Sequence, residues 1–314
     1  MNSESETRKS ESYPPAARQW NVLFWTSMSA FGLLYLVFVL ALIAADLQFT
    51  SWQDIQELFA DDRIKFSIYF SLISCTISAL LSVWIAIPTG YVLARFGRDA
   101  IRRRFEHRPM VHRVLTMIRH TVDTILDIPI VLPPLVVGIS LLVLFQTPLG
   151  KLADETTASF FQMIGFPGLR GITYEMPAVV FGQFTVAAAF AIRTMRDTFE
   201  QISDRPERIA LTLGASSQQA FSRVAMPQAW RGSVAAFTLA WARSLGEFGP
   251  ILIFAGTARM KTEVLSTTVY LNFQFGNLRG AVAASLILVS LAIGVLVVTR
   301  ILMLSDHTQK GLIA

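Results

Sequence analysis

Arg243 and Glu247 are the charged side chains best able to do chemistry within the long apolar stretches of this chain. They stand four positions apart, which places them on one face of a helix. An unpaired charge in an apolar environment is costly, so we expect both to face the interior of a helix bundle and to pair. Two interpretations stay open. The pair is structural and fixes its helix, or it contacts a charged substrate, for which glutamate alone would be a poor anion ligand.

The sequence contains no pattern typical of an enzyme or a metal site. It has no H-E-x-x-H and no G-x-S-x-G motif. The histidines His107, His112 and His120 lack the spacing and the acidic or thiol companions of paired metal ligands. The Gly-Lys pair at 150–151 is followed by Leu152, and no glycine stands at the earlier position that a phosphate-binding loop requires. We therefore expect no catalytic residue, no metal and no bound cofactor in this chain.

A polar amphipathic segment, Pro206–Pro227, separates two apolar stretches. Asp204 is suited to cap a helix whose first turn contains Pro206 and the acidic residue Glu207. Gly214 should end that helix, because glycine readily adopts the left-handed conformation found just beyond helix C-termini. The segment therefore begins with a short helix of about two turns.

A second short helix should follow directly. Ser216 or Ser217 can cap it, apolar residues at helical spacing carry it to Val224, and Pro227 is expected to end it. The two helices would present an apolar ridge to solvent. Two uses stay open: the ridge docks into a groove of a soluble partner, or it lies on the membrane surface.

The composition indicates a membrane protein that must position these residues. The chain of 314 residues is 53% hydrophobic and only 16% charged, with a mean hydropathy of +0.50. Apolar runs of about 20 residues cross the hydrocarbon core as helices, and they lack the alternation of barrel strands. We predict an all-α membrane protein with six transmembrane helices at Asn21–Ala45, Phe66–Ala94, Val122–Phe145, Pro177–Thr198, Ser233–Gly256 and Ala281–Leu304.

Basic residues set the predicted orientation. The connection between the second and third spans is rich in arginine, whereas the first connection is mainly acidic. The positive-inside rule places the arginine-rich connection, both termini and the Pro206–Pro227 segment in the cytoplasm. The net charge of +5 then points to anionic lipid rather than to nucleic acid. The arginines are Arg95, Arg98, Arg102, Arg103, Arg104, Arg108, Arg113 and Arg119.

The predicted organisation along the chain is simple. A disordered cytoplasmic tail (1–19) precedes a first anchor helix (20–45). The membrane core (65–304) includes the basic loop (95–120) and the polar loop (204–227), and a short cytoplasmic tail (305–314) follows.

Prolines and glycines interrupt two of the predicted spans. In the third span they are Pro133, Pro134 and Gly138, and in the fifth they are Gly246, Gly249 and Pro250, around Glu247. Proline removes a backbone donor and kinks a helix. Both interruptions could serve as the gate of a pathway; for the third span, a kink that only fits the bundle is the alternative.

Several of these motifs resemble the permease subunits of ABC importers. Gly214, Ala215 and Ser216, with Pro227 thirteen residues after the glycine, are similar to the cytoplasmic loop of these permeases. The place of the family's E-A-A triplet reads Arg208-Ile209-Ala210, with the glutamate displaced to Glu207. The segments ARSLGEFGPILIFAG (242–256), LPPLVVG (132–138), PLG (148–150) and MKTEVLSTTVYL (260–271) resemble the molybdate, tungstate and sulfate branch.

This resemblance implies a permease that does not hydrolyse ATP itself. ABC ATPase subunits, which bind ATP and Mg, would grip the coupling loop that contains Glu207, Arg208, Ala210, Gly214, Ala215, Ser216 and Pro227. An extracytoplasmic oxyanion-binding protein would deliver a tetrahedral oxyanion, molybdate first, to a pathway shared with a second permease subunit in the bacterial inner membrane. The alternatives are an ABC permease for another solute, such as phosphate or an amino acid, and an ion-gradient-driven transporter or channel.

Overall fold

The structure is a computed structural model that describes residues 15–95, 109–165 and 168–310. Three predicted segments fall partly outside the described residues. They are the N-terminal tail up to residue 14, the centre of the basic loop at 96–108, and the last four residues of the C-terminal tail.

Every regular element in these described ranges is helical, which confirms the predicted all-α class. The α-helices are α1 (Pro15–Phe49), α2 (Trp52–Ala60), α3 (Asp62–Arg95), α4 (Pro109–Val131), α5 (Pro134–Gln146), α6 (Pro148–Met163), α7 (Met176–Gln201), α8 (Arg205–Thr212), α9 (Ser217–Ala220), α10 (Met226–Leu245), α11 (Leu265–Gln274) and α12 (Leu278–Lys310). π-Helical turns at Phe221–Ala225 and Ile251–Ala255 precede and follow α10.

The chain divides into two compact units, residues 1–51 and 52–314. The described part of the first unit is essentially the single helix α1, whose apolar stretch Phe24–Phe49 has no buried residue. Its start differs from the prediction, because residues 15–19, predicted to belong to the disordered tail, are helical. In the second unit, residues 305–310, predicted to belong to the C-terminal tail, continue α12 as helix.

Four helical stretches are long and apolar enough to cross a membrane: Phe24–Phe49, Asp62–Arg95, Met176–Gln201 and Leu278–Ile301. A fifth candidate is the pair Arg113–Val131 and Pro134–Gln146, which is bent by 111° at its break. The break falls at Leu132 and Pro133, directly before Pro134, as expected where proline removes backbone donors. The described residues therefore contain four such spans, or five if the bent pair is counted as one.

The fifth predicted span, Ser233–Gly256, is not one continuous helix, and this corrects the prediction. The helix α10 ends at Leu245, and a π-helical turn resumes only at Ile251. The non-helical break comprises Gly246, Glu247 and Phe248, and helical structure resumes at Gly249 and Pro250 just before this turn. Glycine and proline in this stretch disfavour a continuous α-helix. The predicted count of six spans stays a prediction.

Small residues bring α3, α7 and α10 together in the core of the second unit. Ala79, Ala187 and Ala236, one from each helix, are completely buried. Small side chains allow backbones in a membrane bundle to approach closely, and hydroxyl groups can then bond across the helices. The hydroxyls of Ser78 in α3 and Ser244 in α10 lie 3.1 Å apart. This packing holds the two ends of the polar segment against a common scaffold.

Candidate functional site

The polar segment begins with the helix α8, close to the predicted start. Asp204 occupies the N-cap position, but its side chain does not cap the helix, which corrects the predicted role. Its carboxylate instead accepts a hydrogen bond of 2.9 Å from Arg208, one turn along the helix.

Gly214 ends α8 as predicted, in the left-handed conformation with φ of +90°. The amide of Gly214 donates to the carbonyl of Leu211 at 3.1 Å, and the amide of Ala215 donates to that of Ala210 at 3.0 Å. These two bonds form a Schellman motif, which satisfies the last carbonyls of the helix. The chain therefore makes a hydrogen-bonded elbow at Gly214.

Ser216 starts the second helix with the predicted cap. Its hydroxyl accepts from the amide of Gln219 at 3.2 Å, and the Gln219 side chain accepts from the amide of Ser216 at 2.9 Å. This reciprocal pair is a capping box. Pro227 does not end the helix, which corrects the prediction. It lies in the first turn of α10, where a missing amide donor is tolerated, so the path runs on into the membrane core.

Exposed apolar side chains occur on α8 and at its C-cap residue Leu213. Ile209 is 59% exposed, Leu211 43% and Leu213 82%. Large exposed apolar patches on a folded protein mark interaction surfaces. Ile209 and Leu213, four positions apart, are the part of the predicted apolar ridge that is exposed, whereas Ala220 of the second helix is buried.

Glu207 faces the other way and is buried, with 5% of its surface exposed. The hydroxyl of Tyr91 donates to its Oε2 at 2.8 Å, and the Arg95 guanidinium forms an ion pair with its carboxylate. The same guanidinium donates to the carbonyls of Phe199 at 3.0 Å and Ile202 at 3.2 Å. The first turn of α8 is therefore fixed to the ends of α3 and α7.

Arg95 is the residue of this site whose contacts the sequence did not predict. The charge pattern of the sequence places Arg95 only among the arginines of the basic loop. Its partner Glu207 is 112 positions away, so no local pattern joins them. The one signal in the sequence is that Tyr91 and Arg95 stand one helical turn apart at the end of an apolar span.

The two predicted interruptions meet in the folded chain. A Cβ atom added at Gly249 would lie 2.7 Å from the backbone nitrogen of Leu135, and one added at Gly138 would lie 3.0 Å from the carbonyl oxygen of Gly249. Pro250 lies against Gly182 of α7. The break after α10 is thus packed directly on the first turns of α5, which begins at Pro134.

The remaining two residues of the interruptions lie at helix ends. Pro133 is the N-cap residue of α5 and has extended-type backbone angles. Gly246 is the C-cap residue of α10 and is exposed. The structure therefore brings Pro134, Gly138, Gly249 and Pro250 into one contact region, with Pro133 and Gly246 at its borders.

Arg243 and Glu247 form the predicted ion pair, with 2.7 Å between the guanidinium and Oε1. The Glu247 side chain is fully buried, whereas 31% of the Arg243 side chain is exposed. The guanidinium also lies 5.6 Å from the centre of the Phe190 ring, a cation–π contact. Oε2 of Glu247 is buried without a hydrogen-bond partner. The ion pair can therefore fix the break to α10. The exposed part of the Arg243 side chain also places positive charge at the surface of the chain.

Within the described ranges, no group of three or more His, Cys, Asp or Glu side chains is arranged to hold a metal ion. The arrangement that is present consists of an exposed elbow joined to a core helix and a close-packed break within that core. Such an arrangement can accept a partner and change shape.

The family model for the binding-protein-dependent transport system inner membrane component matches residues 114–306. The chain is 28% identical over 283 residues to the molybdate/tungstate transport system permease protein WtpB of Pyrococcus abyssi, covering 90% of this chain and 96% of that protein. It is 25% identical over 250 residues to the sulfate transport system permease protein CysT of Escherichia coli, covering 78% of each.

A solved structure shares the fold. It is the crystal structure of a bacterial alginate ABC transporter in complex with an alginate pentasaccharide-bound periplasmic protein. The TM-score is 0.60 at 18% sequence identity, covering 90% of this chain and 93% of that one. The family match spans more than half of the residues, including the Gly214 elbow and the break after α10. This chain therefore belongs to the family of inner membrane components of binding-protein-dependent transport systems.

Proposed function

We propose that this chain is the permease subunit of an ATP-driven importer that moves a tetrahedral oxyanion across the inner membrane. Molybdate is the first candidate substrate, followed by tungstate and sulfate. The observation that carries the proposal is the similarity along most of the chain to permeases named for these anions. The Gly214 elbow is exposed beside an apolar ridge, and such a surface favours a protein partner that docks at the elbow.

The partner at this elbow is proposed to be an ABC ATPase, which holds ATP and Mg on its own chain. Ile209 and Leu213 would enter an apolar groove of the ATPase, in the manner of a helix docked through its exposed face. Arg208, Ala210, Ala215 and Ser216 lie on the same short segment and would line the contact. When two ATPases close on ATP, the two coupling loops would be drawn together.

The pathway is proposed to form between this chain and a second permease subunit, which is either another copy or a related chain. The contact region around Pro134, Gly138, Gly249 and Pro250 would be the gate that rocks between inward and outward openings. Because a break in a membrane helix is tolerated where it is packed against protein or lines a cavity, its position favours this role. The partly exposed guanidinium of Arg243, whose ion-pair partner Glu247 is buried, would contact the passing anion.

The proposed topology keeps six crossings, with both termini in the cytoplasm. The fifth crossing would consist of α10 together with the π-helical turn Ile251–Ala255, joined through the break. The Gly214 elbow would then lie on the same side as the basic loop. An extracytoplasmic binding protein would deliver the anion from the other side.

The test is uptake into proteoliposomes that contain this chain, its ATPase and an external oxyanion-binding protein. We expect ATP-dependent uptake of radiolabelled molybdate that tungstate inhibits and phosphate does not. Uptake competed by phosphate or by an amino acid, but not by tungstate, would assign another solute. Uptake that proceeds without the ATPase and follows an ion gradient would overturn the proposal.

A further inference from the structure

Glu207 is unusual among the charged residues of the coupling loop because it is buried, whereas Asp204, Arg205, Arg208 and Arg223 are exposed or half-buried. The neighbouring residues Arg208 and Ile209 are exposed, whereas Glu207 is 5% exposed. Its carboxylate is occupied by the Tyr91 hydroxyl at 2.8 Å and by the Arg95 guanidinium. An ATPase that docks on the outer side of α8 therefore cannot reach this carboxylate without breaking both contacts.

Arg95 joins three parts of the chain through one guanidinium. It is the last residue of α3, it pairs with Glu207 in α8, and it donates to the carbonyls of Phe199 and Ile202 at the end of α7. The ring of Tyr91 packs at 5.3 Å from the ring of Phe199, measured between centroids. An arginine fork that satisfies a carboxylate and free helix-end carbonyls gives a rigid junction.

The location of this junction determines whether it can transmit a displacement of α8 to the core helices. Ile209 and Leu213 lie on the side of α8 opposite to Glu207, because they stand two and six positions after it in the helix. The helices α3 and α7 form the core of the second unit with α10. Glu207, Arg95 and Tyr91 therefore connect α8 directly to this core, beside the ring of Phe221, which packs 4.7 Å from that of Tyr91. Buried ionic contacts are well suited to fixing one arrangement, because removing a single partner leaves an uncompensated charge.

We propose that Tyr91, Arg95 and Glu207 form a buried clamp that makes α8 move as one body with the ends of α3 and α7. Arg95 and Glu207 are then positioning residues: they do not touch the ATPase or the substrate, and they carry the displacement of the coupling loop into the membrane helices. This inference rests on the proposed function, in which an ATPase grips the loop.

The experiment compares Arg95→Gln, Glu207→Gln and Tyr91→Phe in the complete complex with ATPase and binding protein. A matched control is Lys65→Gln, which breaks an exposed ion pair of 2.8 Å with Asp62 at the opposite end of α3. Three quantities are measured: co-purification of the ATPase, the number of anions transported per ATP hydrolysed, and amide hydrogen exchange. Hydrogen exchange of the amides at 205–213 reports the attachment of α8.

We expect Arg95→Gln and Glu207→Gln to keep the ATPase bound but to lower transport per ATP by about tenfold, since changes along a coupling route alter it by this order. Exchange at 205–213 should rise in both variants, and Tyr91→Phe should give a smaller change in the same direction. Lys65→Gln should match the wild type. If the charge variants fail to accumulate, Tyr91→Phe alone decides the question through transport per ATP and hydrogen exchange at 205–213.

Unchanged transport per ATP in the clamp variants would overturn the proposal, and so would loss of ATPase binding in Glu207→Gln, which would make Glu207 a docking residue. Failure of the wild-type chain to bind any ATPase is a different result. It would overturn the proposed function itself.

Discussion

Arg243 and Glu247 form an ion pair of 2.7 Å at the point where α10 ends, and its two members are unequally buried. The glutamate is enclosed, whereas the arginine reaches the surface of the chain. A long arginine side chain can find water or a polar partner when its carboxylate is lost, but an enclosed carboxylate cannot. The two single substitutions should therefore have different consequences.

Arg243→Gln should destabilise the protein by about 3–5 kcal/mol, because it leaves Glu247 buried and unpaired. Glu247→Gln should cost less, and the double variant should recover part of the loss. Thermal unfolding of the four purified proteins in one detergent measures this order. A larger loss for Glu247→Gln than for Arg243→Gln would show that the arginine depends on the pair more than its exposure indicates.

Gly249→Ala should disrupt the contact between the break and α5. The added Cβ would lie 2.7 Å from the nitrogen of Leu135, which is backbone and cannot move aside cheaply. Overpacking of this kind costs about 1–3 kcal/mol, so both the unfolding temperature and the rate of transport should fall. Gly294→Ala in α12 is the control, since nothing lies within 4 Å of its added Cβ. Equal behaviour of the two variants would contradict the close packing at Gly249.

Gly214→Ala should weaken ATPase binding through backbone strain alone. The residue has φ of +90° and nothing lies within 4 Å of an added Cβ, so the left-handed conformation is the only obstacle. That conformation costs about 1–2 kcal/mol for a residue with a side chain. Gly165→Ala is matched, with the same φ of +90° and the same open space. Affinity for the ATPase should fall in the Gly214→Ala variant only. An equal fall in both variants would show that the elbow is not part of the docking site.

The stability of the protein should depend on the protonation of Glu263. Burial raises the pKa of its carboxyl above the ordinary 4.5, although a hydrogen bond from Thr268 and the charge of Arg259 oppose the shift. The folded state thus prefers the neutral acid, and stability declines as the pH rises from 4.5 through the raised pKa. Glu263→Gln should raise the unfolding temperature near neutral pH, and the gain should vanish below the ordinary pKa. A variant less stable than the wild type near neutral pH would show that the opposing contacts dominate.

The sequence predicts those features that depend on near neighbours in the chain. Gly214 ends α8, and Ser216 caps the next helix, because both signals act over three to five residues. The pairing of Arg243 with Glu247 is predictable for the same reason. The role of Pro227 was predicted wrongly, since a proline that ends one helix and a proline in the first turn of another look alike without the surrounding fold.

Other features depend on residues that are distant in sequence. The contact of Gly249 with Leu135 and the contact of Arg95 with Glu207 join segments more than a hundred positions apart, and no spacing rule reaches that far. The interruption of the fifth predicted span was visible as glycines and a proline, but its packing against α5 was not. The apolar composition alone predicts a single crossing for that segment, because composition gives no information on where the backbone breaks.

The most direct test of the central claim is the side of the membrane on which the Gly214 elbow lies and what covers it there. Leu213→Cys, 82% exposed in the native chain, would be placed in a Cys75→Ala background that removes the single native cysteine. We expect a membrane-impermeant thiol reagent to label it in inside-out vesicles but not in intact cells, and bound ATPase to protect it. Labelling from outside intact cells would contradict a cytoplasmic coupling loop.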